Sequence, residues 1–344
     1  MRADTLQRGA PVRELLGFRG LAPYTRRMLG RPIVLVALVL ASVTGCHRSV
    51  SDEPQTPEKS RQAREGGTER PQRLIVGLTP FIPEADLRRQ FAPLLDYLSK
   101  TTGMPIDIRR AESYAATSKL FSENQVHIGV LSPLAYVRAK RDNPDLVLLA
   151  THIADGSSTY SGYIVARDDS GFNSIQDLKG KRFLYIDRSS ASGYLYPVAY
   201  LHALGIDPET FFASLSFGGN HEKVLDAIVN KEADAGAVAS TVLRMYRDQK
   251  SEGRRLKILA KTGRIPYDAY CASPRLDQTL IDQIRAALIE LSTRTEGGRR
   301  VLQGLTEING FVTVGDEHYD EVRRVDSMVA GFTGATPQSS DTPP

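Results

Sequence analysis

The sequence has no tryptophan, two cysteines and no apolar run long enough to cross a bilayer as a helix of ~20 residues. Without tryptophan or an aromatic motif on which successive bases would stack, a single-strand nucleic-acid platform is excluded. Cys46 and Cys271 allow at most one disulfide. No His-x-x-x-His or Cys-x-x-Cys spacing marks a metal site. A nucleophile elbow around Ser192 would need glycine at positions 190 and 194, which hold Ser190 and Tyr194. A triad of Ser192, His221 and Asp268 in a secreted hydrolase therefore has no motif behind it.

A surplus of positive charge is also lacking where it would matter. The formal charge is +4, but seven of the 44 Lys/Arg and only two of the 40 acids fall within residues 1–45. The remaining 37 bases and 38 acids nearly cancel, and no clustered basic face tracks a phosphate backbone. No nucleic-acid partner is expected.

What is present begins with a leader. Arg26, Arg27 and Arg31 precede an apolar run of 11 residues, 33–43. A basic n-region before such a run is an export signal. A start at Met28 would give it an ordinary length. The run ends in Val43-Thr44-Gly45-Cys46, which resembles the lipobox of bacterial lipoproteins and predicts acylation of Cys46. That would leave Cys271 a lone, buried thiol. Residues 46–72, rich in Ser, Pro, Glu, Arg and Gly, read as a disordered tether. An exported chain is not an ATP- or NAD-fed cytosolic enzyme, and no cofactor is expected.

With 344 residues, 41% hydrophobic and 24% charged, the chain suits two globular lobes plus tails. Periodicity predicts strands at 74–78, 106–110, 128–131 and 146–150. Helices are predicted at 84–100, 113–123 and from Pro133. The alternation restarts with strands at 163–166, 182–186, 233–238 and 256–260. Helices are expected at 174–178, 193–204, 221–229 and 240–248, and two more at 277–293 and 296–302. From Thr333 the tail is Thr/Pro/Ser-rich and expected to fray. Alternating strands and helices imply mostly parallel sheets. Two such units in series suggest a hinged binder with its ligand between them.

The sharpest local feature is Asp187-Arg-Ser-Ser-Ala-Ser-Gly193, between a predicted strand and a predicted helix. Free amides at a helix start, with hydroxyls beside them, hold an anion without lysine or arginine. A plain serine cap is the other reading. His221 follows Asn220, itself a sufficient cap. Tyr114, Tyr136 and Tyr160, each near an element end, are read one by one as packing.

Taken in order, several segments resemble the phosphate/phosphite/phosphonate family of ABC-transporter substrate-binding proteins. They are Gly77-Leu-Thr-Pro80, Phe91 to Leu98, Ser113-Tyr114, Ser132 to Tyr136, Asp177 to Lys181, Asp187 to Gly193, Gly219-Asn-His221 and Asp234 to Ala237. The resemblance spans about 74–330. It implies an α/β type 2 periplasmic binding protein, with mixed sheets flanked by helices and a hinged cleft. Lobe one would be 73–157 plus 266–332, lobe two 158–265, and 333–344 a disordered tail. The family's Ser-Thr-Ser cradle falls on Ser190, Ala191 and Ser192, so the middle hydroxyl is missing. Its loss is expected to weaken binding by ~1.5–3 kcal/mol unless Ser189 or a water substitutes. Cleft tyrosines fall on Tyr114 and Tyr160, a cleft histidine on His221 and a cleft aspartate on Asp268. The acid that grips an aminophosphonate falls near Thr241, which argues for phosphate, phosphite or a small phosphonate. The implied function is capture of such an oxyanion by a monomer, lipid-anchored in the cell envelope, for an inner-membrane ABC permease. The rivals are a sensor lipoprotein of the same fold and a secreted hydrolase.

Overall fold

The computed structural model describes residues 68–305 and 307–333. The leader, Cys46, most of the expected tether and the tail after 333 lie outside the described residues. The first run is β1 (Leu74–Leu78), α1 (Glu84–Thr102), β2 (Ile106–Arg110), α2 (Tyr114–Ser122), β3 (Ile128–Leu131), α3 (Pro133–Asp142) and β4 (Val147–Ile153). The second is β5 (Thr159–Arg167), β6 (Arg182–Tyr185), α4 (Tyr196–Ala203), α5 (Pro208–Phe211), β7 (Ser214–Phe217), α6 (His221–Val229), β8 (Ala235–Ala239), α7 (Ser240–Gln249) and β9 (Leu256–Pro266). The chain returns through β10 (Ala269–Ala272), α8 (Gln278–Glu290), α9 (Glu296–Leu302), β11 (Gly310–Val312) and α10 (Asp320–Thr333).

Helix α1 shows which local forces win. Leu87, Phe91, Leu94, Leu95 and Leu98 recur at helical spacing and are all buried. Pro93 removes one backbone hydrogen bond and crowds the preceding turn, at ~3 kcal/mol. Five buried side chains at ~1.5–3 kcal/mol each outweigh that cost. Gly103 then ends the helix at φ 71°, a left-handed conformation that glycine adopts without strain. The apolar stripe of α1 packs with Leu280, Ile281, Ile284 and Leu288 of α8.

Two mixed sheets result. The first has six strands in the order β11-β4-β10-β3-β1-β2, the second five in the order β7-β6-β8-β5-β9. The expectation of mostly parallel sheets is corrected. β10 runs antiparallel to both β3 and β4, and β5 antiparallel to both β8 and β9. Each of these strands enters its sheet directly from the other one, so it arrives in the opposite sense. β5 and β9 pair from Thr159↔Pro266 to Arg167↔Leu256 and form two adjacent crossovers between the sheets.

Other local differences have simple causes. Residues 174–178 form only a 3-10 turn, Gln176–Leu178, because Asp177 Oδ2 accepts from the amides of Asn173 and Ser174 and holds the chain tight. Glu69, expected in the tether, donates its amide to Arg275 and accepts from Asp277. The helix expected from 193 starts earlier, as a π-turn at Ala191–Leu195 that leads into α4. Cys271 is a free, buried thiol.

Candidate functional site

Three side-chain caps position the candidate residues. Ser113 accepts from Ala116 N–H at 3.1 Å and places Tyr114 first in α2. Asn220 accepts from Lys223 N–H at 2.9 Å and places His221 first in α6. Ser190 accepts from Gly193 N–H at 3.1 Å and places Ala191 and Ser192 in the opening turn before α4. The cap reading of each helix start therefore holds. It also leaves the first-turn amides of Ala191 and Ser192 without an intrahelical partner. Gly193 is required here, because a Cβ would lie 2.1 Å from Ile186 Cγ1. Gly162 likewise lets β5 pass Ser192, since a Cβ there would lie 3.2 Å from the Ser192 carbonyl oxygen.

All seven sequence candidates line one cavity of about 100 Å³: Tyr114, Tyr160, Ser190, Ala191, Ser192, His221 and Asp268. Tyr160 comes from β5, and Asp268 from the turn between β9 and β10. Tyr136 is not among them; it is packing, its hydroxyl donating to Asp316 at 2.6 Å. Ser189 is not a substitute for the missing hydroxyl. Its Oγ accepts from Arg138 at 2.8 Å, and its side chain is buried away from the cavity.

Among the described residues, no lysine or arginine lines the cavity. The polar groups are mainly neutral donors. Tyr114 Oη is buried without a hydrogen-bond partner. Ser190 lies near enough to ease its ionisation slightly, but the far larger effect is burial, which pushes the phenol up and keeps it protonated. Tyr160 donates to Ser192 Oγ at 3.4 Å, which leaves the Ser192 proton free to donate onward. His221 Nδ1 accepts from Ala239 N–H at 3.2 Å, so the proton resides on Nε2. Burial lowers this imidazole to about 3, so it stays a neutral donor at ordinary pH. Because Nδ1 accepts, it does not donate to a carboxylate as a catalytic triad requires. Asp268 is the matching acceptor. Desolvation raises its carboxyl to about 7.

Sequence reasoning missed His152, Gln90, Thr79, Ser132 and Glu307, which also line the cavity. His152 lies on β4 beyond the predicted end of that strand. Its buried Nδ1 has no partner, and its ring lies 4.2 Å from that of Tyr267. Thr79 and Ser132 lie in the segments 77–80 and 132–136 that carry the resemblance but were not singled out as site residues, whereas Gln90 and Glu307 come from separate elements with no motif. Thr241, at the position noted for lacking an acid, is part of the lining.

The arrangement offers hydroxyls, an imidazole N–H and first-turn amides around one protonatable carboxyl. It suits a small oxyanion that carries a proton of its own. Two mixed sheets joined by paired crossover strands, with such a cavity, have the periplasmic binding protein fold. The chain belongs to the family of periplasmic substrate-binding proteins of phosphonate ABC transporters, whose model matches residues 76–319. That family serves transport and is periplasmic. The chain is 27% identical over 308 residues to the phosphate-import protein PhnD of Mycolicibacterium smegmatis, covering 84% of this chain and 92% of that protein. It is 28% identical to the phosphonates-binding periplasmic protein of Escherichia coli, over 61% of this chain and 64% of that one. The solved structure of PhnD1 from Prochlorococcus marinus in complex with methylphosphonate superposes with a TM-score of 0.69 at 18% identity, covering 76% of this chain and 99% of that one.

Proposed function

We propose that this chain is a solute-binding lipoprotein that captures phosphate, phosphite or a small phosphonate and presents it to an ABC permease, without catalysis. The observation that carries this reading is the cavity itself, with seven converging polar or small residues and, among the described residues, no lysine or arginine lining it. The ligand oxygens would take hydrogen bonds from Ser190, Ser192, the amides at 191 and 192, Tyr114 and His221 Nε2–H. The helix dipole behind those amides favours the negative charge. Asp268 would accept from a P–OH group, because a bare carboxylate facing a dianion is repulsive. Ala191 forgoes one hydroxyl contact, worth ~1.5–3 kcal/mol.

In this reading residues 73–157 with 266–332 form one lobe and 158–265 the other, closing on the ligand. The monomer would hang from the membrane by lipidated Cys46 and a tether. The test is a thermal-shift panel of phosphate, phosphite, methylphosphonate and sulfate. A phosphorus oxyanion at 100 times Kd should add about 2.7 kcal/mol of stability. A panel that leaves Tm unchanged contradicts the reading.

A further inference from the structure

Arg138 stands on α3, the helix that follows β3 of the six-stranded sheet. Its guanidinium makes two separate contacts. Nη1 donates to Ser189 Oγ at 2.8 Å, and Nη2 reaches Asp326 Oδ1 of α10 at 3.4 Å. Ser189 belongs to the loop after β6 of the five-stranded sheet and immediately precedes Ser190. One side chain therefore ties the loop that carries Ser190 and Ser192 to two helices that follow strands of the other sheet.

Ser189 is engaged at each of its polar atoms. Its N–H donates to Asp187 Oδ1 at 2.7 Å, Ser132 Oγ reaches its carbonyl at 3.5 Å, and its hydroxyl accepts from Arg138. Ser132 and Arg138 lie across the sheet boundary, at the cap of α3 and in its second turn. The Arg138 side chain is 29% exposed, against 46% for Arg244, so solvent screens its contacts less. Helix α10 backs the same junction. Its Val322 and Val325 share one core with Leu134 and Tyr136 of α3, and with Leu195 and Val198 of the turn and helix that leave the loop. A planar guanidinium can serve Ser189 and Asp326 at once, which a lysine ammonium, a single point charge, does not match.

We propose that Arg138 is a positioning residue for ligand capture, fastening the oxyanion loop to α3 and α10 when the two sheets close on the ligand. This rests on the oxyanion reading of the cavity. Parting the sheets separates α3 from the loop and breaks the Arg138–Ser189 bond. The Arg138–Asp326 pair joins elements of one sheet and survives, so it holds the guanidinium ready for the next closure. Breaking the Arg138–Ser189 bond is then part of the barrier to ligand release.

The experiment is stopped-flow tyrosine fluorescence with phosphate, phosphite and methylphosphonate. Tyr114 and Tyr160 line the cavity, and the chain has no tryptophan to mask them. Arg138→Met and Ser189→Ala should each raise the off-rate about tenfold at a nearly constant on-rate, as for loss of one hydrogen bond to a charged group. The double variant should be no faster than Arg138→Met, since both changes remove the same bond. Ser189→Ala leaves the Arg138–Asp326 pair intact, so it reports on that bond even where Arg138→Met folds poorly. Arg138→Lys should stay closer to Arg138→Met than to wild type. An unchanged off-rate in Ser189→Ala, additive effects in the double variant, or full recovery in Arg138→Lys would each overturn the fastening role while oxyanion capture stands. If none of the three compounds binds wild type, the oxyanion reading fails and this proposal with it.

Discussion

The Nδ1 atom of His221 accepts a hydrogen bond from the backbone N–H of Ala239 at 3.2 Å. A strand end on the second sheet thus sets the tautomer of a cavity histidine. With the ring held at about 3 by burial, His221 does not titrate between pH 5 and 8.

His221→Phe should weaken oxyanion binding by ~1.5–3 kcal/mol, roughly 10- to 150-fold, through loss of the Nε2–H donor. Calorimetry from pH 5 to 8 checks both points. A wild-type affinity step near pH 6.5 that disappears in the variant would mean that the imidazole titrates, against this account.

Asp268 carries the opposite linkage. Its folded value of about 7 lies above the ~3.9 of an unfolded chain. The folded state keeps a proton that the unfolded state has released. The associated stability is fully present below about pH 3.9 and is lost as pH rises through about 7. In ligand-free protein, Asp268→Asn should raise Tm relative to wild type at pH 8, and the two should converge toward pH 4. Scanning calorimetry at both pH values is the check, and a constant offset would place Asp268 in solvent.

Arg244 joins elements of the two sheets. From α7 it reaches Asp155 at 2.6 Å, in the connection from β4 to β5, and Glu307 ahead of β11. The arginine side chain is 46% exposed, so each pair contributes only ~0.2–1 kcal/mol to stability. Arg244→Met should therefore leave Tm nearly unchanged. It should raise Kd a few-fold, through faster ligand release, and weaken the salt dependence of binding. Surface plasmon resonance at two ionic strengths reads this. Identical off-rates for the two proteins would show that the pairs do not hold the closed form.

Lipid anchoring rests on the 43–46 tetrad alone. Cys46→Ala expressed in a bacterial host should move from the membrane fraction to the soluble one and lose acyl labelling. An unlabelled wild type would overturn the lipoprotein reading.

The parts of the fold legible in the sequence were those with their own local signal. α1 has a five-residue apolar stripe, and α2 and α6 begin at Ser113 and Asn220, whose side chains cap them. Strands β10 and β11 were not legible, because four and three residues carry no measurable alternation. β5 and β9 were read too short, since Ser161, Gly162 and Gly263 break the apolar run while the ladder continues through their backbone. α10 was missed although Val322, Val325 and Val329 follow a helical stripe. At the site, Tyr114, Ser190, Ser192 and His221 follow from helix-start chemistry and the family resemblance. His152, Gln90 and Glu307 arrive from β4, α1 and the approach to β11, and only the tertiary fold brings them there.

Calorimetric titration of wild type and Ser192→Ala with phosphite and phosphate tests oxyanion capture most directly. Ser192 is buried, its hydroxyl proton is free, and its side chain lines the cavity. The account predicts measurable binding by wild type and a loss of ~1.5–3 kcal/mol in the variant at unchanged Tm. Equal affinity of the two proteins would place the oxyanion elsewhere and contradict the account.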